Sequence, residues 1–192
     1  MGQRLNIEIE KNNKALANAY YHWGAYSDSA CELTQLIVNY INNNPQDCDD
    51  VLYAIRILEH TGAGLTDNSP SELETAQEMF PNEKFEDCKG RNYGLLAISD
   101  EGIKETRDWE EERVTINLDN KTINFEVYWE YDPTEEDYYD TKPQFEKLGL
   151  DLDNLKFTEL DELAEQVNFA KDSSRRIINE LPSGKKIRFI FC

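Results

Sequence analysis

The sequence predicts an α+β fold, with a mostly antiparallel sheet built from hairpins and with helices packed on one face. Two observations lead to this prediction. Near the N-terminus and again over residues 114–131, apolar and polar residues alternate with the period of two that a half-buried strand has. Elsewhere, apolar residues recur at helical spacing in segments that stop near Pro or Gly. The predicted element order is ββαα(α)βαββαβ, in which hairpins dominate.

The N-terminal hairpin is predicted from a short alternating run. Leu5, Ile7 and Ile9 alternate with polar residues, which predicts a first strand with one buried face. The turn is expected at Asn12-Asn13, because Asn tolerates the left-handed backbone region. A second strand over residues 14–21 completes the hairpin.

Two helices follow this hairpin. The first is predicted over residues 28–43, where Ser29 and Glu32 have the spacing of a capping box. The second is predicted over residues 47–60, and it ends near Gly62.

The middle of the chain alternates short elements of both kinds. Ser69 and Pro70 have the residue types of a helix start, which predicts a helix over residues 70–79. Residues 94–99 form a short apolar run typical of a buried strand, and residues 100–112 are predicted to form an acidic helix. That helix carries Trp109 among carboxylates, which we interpret as a solvated face.

The last third contains the clearest strand pair and the longest helix. Residues 114–131 predict a long antiparallel hairpin with one apolar face. After an irregular segment over residues 132–157, apolar residues keep helical spacing over 159–181, and residues 187–191 alternate as a final strand. We predict a single acidic domain over residues 1–192, with an irregular acidic loop around 132–157.

The charge of the chain limits the classes of partner. Among 192 residues there are 39 Asp or Glu and 20 Lys or Arg, and the formal net charge is −19. Residues 65–153 carry 16 of these 19 net negative charges, while residues 154–192 are slightly positive. A protein that binds nucleic acid through phosphates or binds an anionic membrane needs clustered basic residues, so neither class is predicted.

The cysteine pattern gives no metal site. The four cysteines are isolated, and no CxxC pair is present, which argues against a structural zinc ion. Isolated cysteines and the absence of a signal-peptide pattern favour a cytoplasmic location. We predict neither a cofactor nor a metal.

An acidic, tyrosine-rich segment at residues 130–140 is the first candidate site. It has six acidic residues, three tyrosines and no basic residue. Carboxylates beside aromatic rings imitate phosphates beside bases and suit a basic surface on a protein partner. The predicted partner-binding residues are Glu130, Asp132, Glu135, Glu136, Asp137, Tyr138, Tyr139 and Asp140.

An aromatic segment at residues 20–27 is the second candidate site. It has four aromatic residues and one His at the junction of a strand and a helix, where stacking and anion binding to free N–H groups are both possible. As a ligand site it would use Tyr20, His22, Trp23 and Tyr26, with Arg175 and Arg176 facing a phosphate. The alternative interpretation is that these rings fill the core and cover the hairpin.

Three segments carry a resemblance to other proteins. They are the N-terminal run MGQRLNIEI, the run AYYHW at residues 19–23 and the run VYWEYD at residues 127–132. With these segments, the chain resembles small acidic proteins of phages and prophages of Gram-positive bacteria. The resemblance implies a protein that blocks host defence, including CRISPR effectors and other nucleic-acid-handling complexes. It carries over no functional residue.

These observations lead to one predicted function and two alternatives. We predict a phage-type, non-enzymatic, anti-CRISPR-like interaction protein that inhibits a host protein by binding its basic surface through the acidic, tyrosine-rich segment. The first alternative is a protein that binds a small ligand, such as a nucleotide signal, at the aromatic segment. The second is a hydrolase whose site has no recognisable motif. The oligomeric state stays open.

Overall fold

The fold is known from a computed structural model, which describes residues 4–22, 27–66, 71–85, 94–127 and 149–167. The strands are β1 (Leu5–Lys11), β2 (Lys14–Tyr21), β3 (Ala63–Leu65), β4 (Gly94–Ala97), β5 (Glu112–Asn117), β6 (Thr122–Glu126) and β7 (Leu155–Lys156). The helices are α1 (Ser27–Asn43), α2 (Asp50–His60), α3 (Glu72–Met79) and α4 (Asp100–Asp108). A 3₁₀ turn over Phe157–Glu159 leads into a further helix, α5, over 160–167.

The strands form one sheet in the order β3-β4-β2-β1-β5-β6-β7. The α+β class is therefore confirmed, but the prediction of a mostly antiparallel sheet is wrong. Strand β1 pairs with β5 in parallel, as β3 does with β4, so the described sheet is mixed. The physical reason is that β1 and β5 belong to different hairpins, and the two hairpins meet side by side with these strands pointing the same way.

The helices lie on both faces of the sheet, so the prediction that they pack on one face is also wrong. Helix α2 covers the apolar face, where Oγ1 of its C-cap residue Thr61 is hydrogen-bonded to the hydroxyl of Tyr21. Helix α4 covers part of the opposite face, because its residue Thr106 bonds Asn6 and Asn18. The polar side chains of that face therefore hold α4 against the sheet through hydrogen bonds.

The core follows the alternation along the strands. On the apolar face, Leu5, Ile7 and Ile9 of β1 lie opposite Tyr21, Ala19 and Ala17 of β2, and all six are buried. Val114 and Ile116 of β5 continue these rows into Phe125 and Ile123 of β6. The sequence predicted both hairpins, because burying alternate apolar residues stabilises an antiparallel pair. In the second, β6 ends at Glu126, and residues 128–131 of the prediction lie outside the described residues.

Local chemistry sets the element boundaries. Asn12 and Asn13 form the predicted turn with φ of 53° and 57°. Helix α3 begins later than predicted, because Ser71 and not Ser69 is its N-cap residue. Oγ of Ser71 accepts a hydrogen bond from the backbone N–H of Glu74. Helix α4 ends at Asp108, four residues earlier than predicted.

The structure also contains elements that the sequence did not indicate. The short strands β3 and β7 were not predicted, since runs of three and two residues are too short for a periodic pattern. Of the helix predicted over 159–181, residues 160–167 are helical, and the remainder lies outside the described residues, as does the strand predicted over 187–191.

Candidate functional site

The sequence-predicted partner-binding residues cannot be placed. Glu130, Asp132, Glu135, Glu136, Asp137, Tyr138, Tyr139 and Asp140 all lie outside the described residues. The same is true of Trp23, Tyr26, Arg175 and Arg176 from the alternative ligand site. Tyr20 and His22 are described, and both lie at the end of β2 on or beside the polar face of the sheet.

This polar face is the candidate site. It is formed by the alternate strand residues that point away from the apolar face. Its side chains come from β1 (Asn6, Glu8, Glu10), β2 (Asn18, Tyr20), β5 (Arg113, Thr115, Asn117) and β6 (Thr122, Asn124, Glu126). The register brings them into continuous rows, such as Asn18, Glu8, Thr115 and Asn124 across four strands. A sheet face so rich in polar residues is suited to solvent or to a polar partner.

A buried ion pair forms the floor of this face beneath α4. The Glu8 side chain is 3% exposed and accepts two hydrogen bonds from Arg107, from Nε at 2.8 Å and from Nη2 at 2.7 Å. The Arg107 side chain is 39% exposed, so it reaches from water down to the sheet. Such a bidentate pair fixes both the carboxylate and the guanidinium in one geometry.

A second ion pair, between Glu110 and Arg113, continues the network toward the N-terminal end of β5. Glu110 binds the guanidinium of Arg113 with both carboxylate oxygens. It also accepts a hydrogen bond from Nδ2 of Asn6 at 2.9 Å. The hydrogen bonds that Arg113 donates to Glu110 raise the pKa of Arg113 above its ordinary value. Glu110 therefore connects the segment that follows α4 to both β1 and β5.

An open groove lies beside this network. It has a volume of about 370 Å³ and is lined mainly by polar residues of β1, β5 and β6, with Arg107 from α4 and residues 153–154. The amide oxygen of Asn124, in its wall, is buried and has no hydrogen-bond partner among the described residues. The groove lining includes four carboxylates (Glu8, Glu10, Glu126, Asp153) and two guanidinium groups (Arg107, Arg113).

The outer side of α4 carries an acidic ridge, which we define as Glu101, Glu105 and Asp108. These residues are exposed, while Gly102, Ile103 and Thr106 on the opposite side are buried. The ridge leads to the C-cap residue Trp109, which is 39% exposed. From the sequence we interpreted this region as a solvated acidic face. The exposed ridge agrees with that interpretation, but Glu110 does not, because it is partly buried and paired with Arg113.

Aromatic rings meet where the ridge approaches β2. The Tyr20 ring packs edge-on against Trp109 with centroids 5.7 Å apart, and its hydroxyl lies 3.1 Å from Nδ1 of His22. Burial raises the pKa of Tyr20, partly offset by the charge of Arg4. The backbone carbonyl of Trp109 in turn accepts a hydrogen bond from the Arg4 side chain. The structure thus brings Tyr20 and His22 together with Trp109, which the sequence had not linked to them.

The sequence also missed the residues of the groove floor. Glu8 and Arg107 are separated by 99 positions, and Asn6 and Glu110 by 104, so no local spacing relates them. The sequence signal for these residues was the polar side of the β1 alternation, and that pattern suggested side chains exposed to solvent. In the structure Asn6 and Glu8 are instead buried, at 0% and 2% exposure. Among the described residues, no group of three His, Cys, Asp or Glu is placed to hold a metal ion.

No helix in the described part of the chain is long and apolar enough to cross a membrane. Comparison with protein-family models, curated proteins and solved structures gives no match for this chain. The arguments for function therefore rest on the chemistry of the chain itself.

Proposed function

We propose that this chain is a non-enzymatic interaction protein that binds a basic surface on a protein partner. The observation that carries the proposal is the localised charge, because residues 65–153 hold 16 of the 19 net negative charges. An acidic surface of this kind attracts a basic partner and accelerates the encounter. The resemblance to small phage proteins leads us to propose further that the partner is a host defence protein that handles nucleic acid.

The described surface supports an interface of this chemistry. The acidic ridge of α4 exposes three carboxylates beside the half-exposed ring of Trp109. Interfaces are enriched in large aromatic residues, and acidic groups around them complement Lys and Arg of a partner. In this proposal the ridge and the acidic segment at residues 130–140 both contribute to binding.

Charge reversal in the acidic segment tests the proposal. In the loop variant, Glu135, Glu136 and Asp137 are changed to Lys. Host lysate is passed over the immobilised wild-type chain at low and high salt, and the retained protein is purified for direct measurement of Kd. We expect the loop variant to abolish binding of that protein without changing the circular dichroism spectrum.

The matched control carries the same charge change on other described elements. In the control variant, the exposed residues Glu74 and Glu78 of α3 and Glu165 of α5 are changed to Lys. We expect this control to retain most of the affinity. If the loop variant binds the purified partner as tightly as the control does, the acidic segment is not the interface.

The aromatic contact between Tyr20 and Trp109 favours a second candidate function. An exposed indole ring next to a phenol and an imidazole suits the stacking of a planar ligand, such as the base of a nucleotide signal. A ligand of this kind stabilises the folded chain by RT ln(1 + [L]/Kd), so Tm rises with the logarithm of its concentration above Kd. Thermal shift assays with nucleotides test this candidate, and the shift should disappear in Trp109→Ala.

A further inference from the structure

We infer that the groove on the polar face of the sheet binds a basic peptide segment of the partner, with two cationic side chains in contact with Glu10 and Glu126. The inference rests on the proposed function only in taking the partner to be basic. It adds a second contact surface, built on β1, β5 and β6, and a preferred spacing of positive charges.

The charged donors of the groove are already paired. The guanidinium of Arg107 is bound by Glu8, and that of Arg113 is bound by Glu110. The side-chain amide of Asn124 donates to Glu126 at 3.2 Å. An anionic ligand would have to compete with these internal acceptors, so the groove is not suited to a phosphate or a carboxylate.

Acceptors remain available. The carboxylate of Glu10 makes no hydrogen bond or ion pair with any residue that the structure describes, although Glu10 also lines a second groove together with Lys14 and Lys104. Glu126 is exposed, and its described hydrogen bond comes from an uncharged amide. Although Glu126 lies opposite Arg113 in the sheet, that guanidinium forms its ion pair with Glu110. A groove with surplus acceptors and surplus negative charge matches an occupant that has only donors, such as Arg or Lys.

The sheet register gives the distance between the two carboxylates. Glu10 lies in the row of Asn117 and Thr122, whereas Glu126 is four residues farther along β6. With strands about 4.8 Å apart and a rise of about 3.3 Å per residue, the two Cα atoms are about 16 Å apart. In an extended peptide, residues i and i+4 lie about 13 Å apart on one side, and the length of Arg side chains covers the difference.

The residues between the two carboxylates fit a peptide backbone. Thr115, Asn117 and Thr122 face the groove from β5 and β6, and they offer hydroxyl and amide groups that both donate and accept. Such groups satisfy peptide N–H and C=O groups without regard to sequence. The groove therefore specifies its occupant mainly by the spacing of two positive charges.

Two peptides of identical composition test this inference. With carboxyfluorescein in amide linkage to the N-terminus of each, Arg-Ser-Gly-Ser-Arg-amide has the matching spacing, and Arg-Arg-Ser-Gly-Ser-amide has adjacent charges. Fluorescence anisotropy with the full chain at about 0.15 M salt limits long-range attraction, since charges are screened beyond about 8 Å. We expect the first peptide to bind about fivefold more tightly, the effect of one additional ion pair of about 1 kcal/mol.

Variants assign the preference to the groove. Changing Glu10 and Glu126 together to Gln should remove it, whereas the matched change of Glu74 and Glu78 to Gln should leave it intact. Equal affinity of the wild-type chain for the two peptides overturns the inference, as does a preference that survives in the groove variant. The loop variant used for the proposed function should keep the preference, so failure of either idea can be told from failure of the other.

Discussion

Replacing the two partners of the Glu8–Arg107 ion pair one at a time tests how the groove floor is held together. The two side chains differ in environment, because that of Glu8 is 3% exposed and that of Arg107 is 39% exposed. When one partner is removed, the other must either return to water or stay buried without a counter-charge. The structure therefore predicts unequal losses of stability for Glu8→Ala and Arg107→Ala.

The magnitudes follow from that difference. In Arg107→Ala, the carboxylate of Glu8 loses both hydrogen bonds of the pair and keeps only the Coulombic attraction of Arg113, so the loss should approach the figure of about 3–5 kcal/mol for a broken buried pair. In Glu8→Ala, the guanidinium of Arg107 can turn into solvent, and the loss of its two charge-assisted hydrogen bonds, reduced by solvent screening, costs about 1–2 kcal/mol. The double variant should be no less stable than Arg107→Ala alone, since it leaves no buried charge.

Equilibrium unfolding in urea, followed by far-UV circular dichroism, measures these differences. If the variants share one slope m, their free energies of unfolding can be compared directly. If Glu8→Ala lowers the free energy of unfolding as much as Arg107→Ala does, the buried-carboxylate argument is refuted. A double variant less stable than both single variants would refute it as well.

Three further predictions concern other buried or paired groups. Gly102→Ala should lower the free energy of unfolding by about 1–3 kcal/mol in urea titrations, because the added Cβ would overlap the carboxylate of Glu72. The hydrogen bond from Lys11 lowers the pKa of Asp50, so the wild-type chain should be more stable than Asp50→Asn at pH 7. This advantage, measured by urea unfolding at several pH values, should vanish as pH falls through the lowered pKa, where the folded carboxylate is protonated. Burial raises the pKa of the Cys31 thiol, so a chain with Cys31 as its sole cysteine should resist iodoacetamide at pH 8 until urea unfolds it.

Each of these three predictions has a contrary result. Because Glu72 also accepts hydrogen bonds from Ile98 and Ser99, Glu72→Ala costs stability itself, but its loss and that of Gly102→Ala should be less than additive in the double variant; additive losses would count against the overlap. A stability difference for Asp50→Asn that is the same at pH 3 and pH 7 would show that the carboxylate charge is not involved. Rapid alkylation of Cys31 in the folded chain would place its thiol in solvent.

The strands and helices with regular patterns could be predicted from the sequence. The N-terminal hairpin, the β5–β6 hairpin and helices α1 and α2 were predicted within a few residues, because their patterns reflect contacts close along the chain. Helix starts were less accurate. Ser69 and Ser71 both suit a cap, and the choice depends on which hydroxyl reaches a free N–H.

The candidate site was predicted only in part. The concentration of acidic residues and the aromatic pair Tyr20 and His22 are visible in the sequence, and so is the acidic face that carries Trp109. The packing of Tyr20 on Trp109 is not visible, because 89 positions separate the two residues and only the position of α4 on the sheet brings them together.

The sequence by itself determined the α+β class, the alternation that gives the sheet an apolar and a polar face, and the localised negative charge. Only the tertiary structure decided that β1 and β5 run parallel and that α4 covers part of the polar face. It alone also decided that Glu8 is buried against Arg107 and that Glu10, in the groove beside them, has no partner among the described residues. The physical reason is that periodicity reports which side of an element is apolar, whereas pairing between distant strands and helices depends on contacts that no local pattern records.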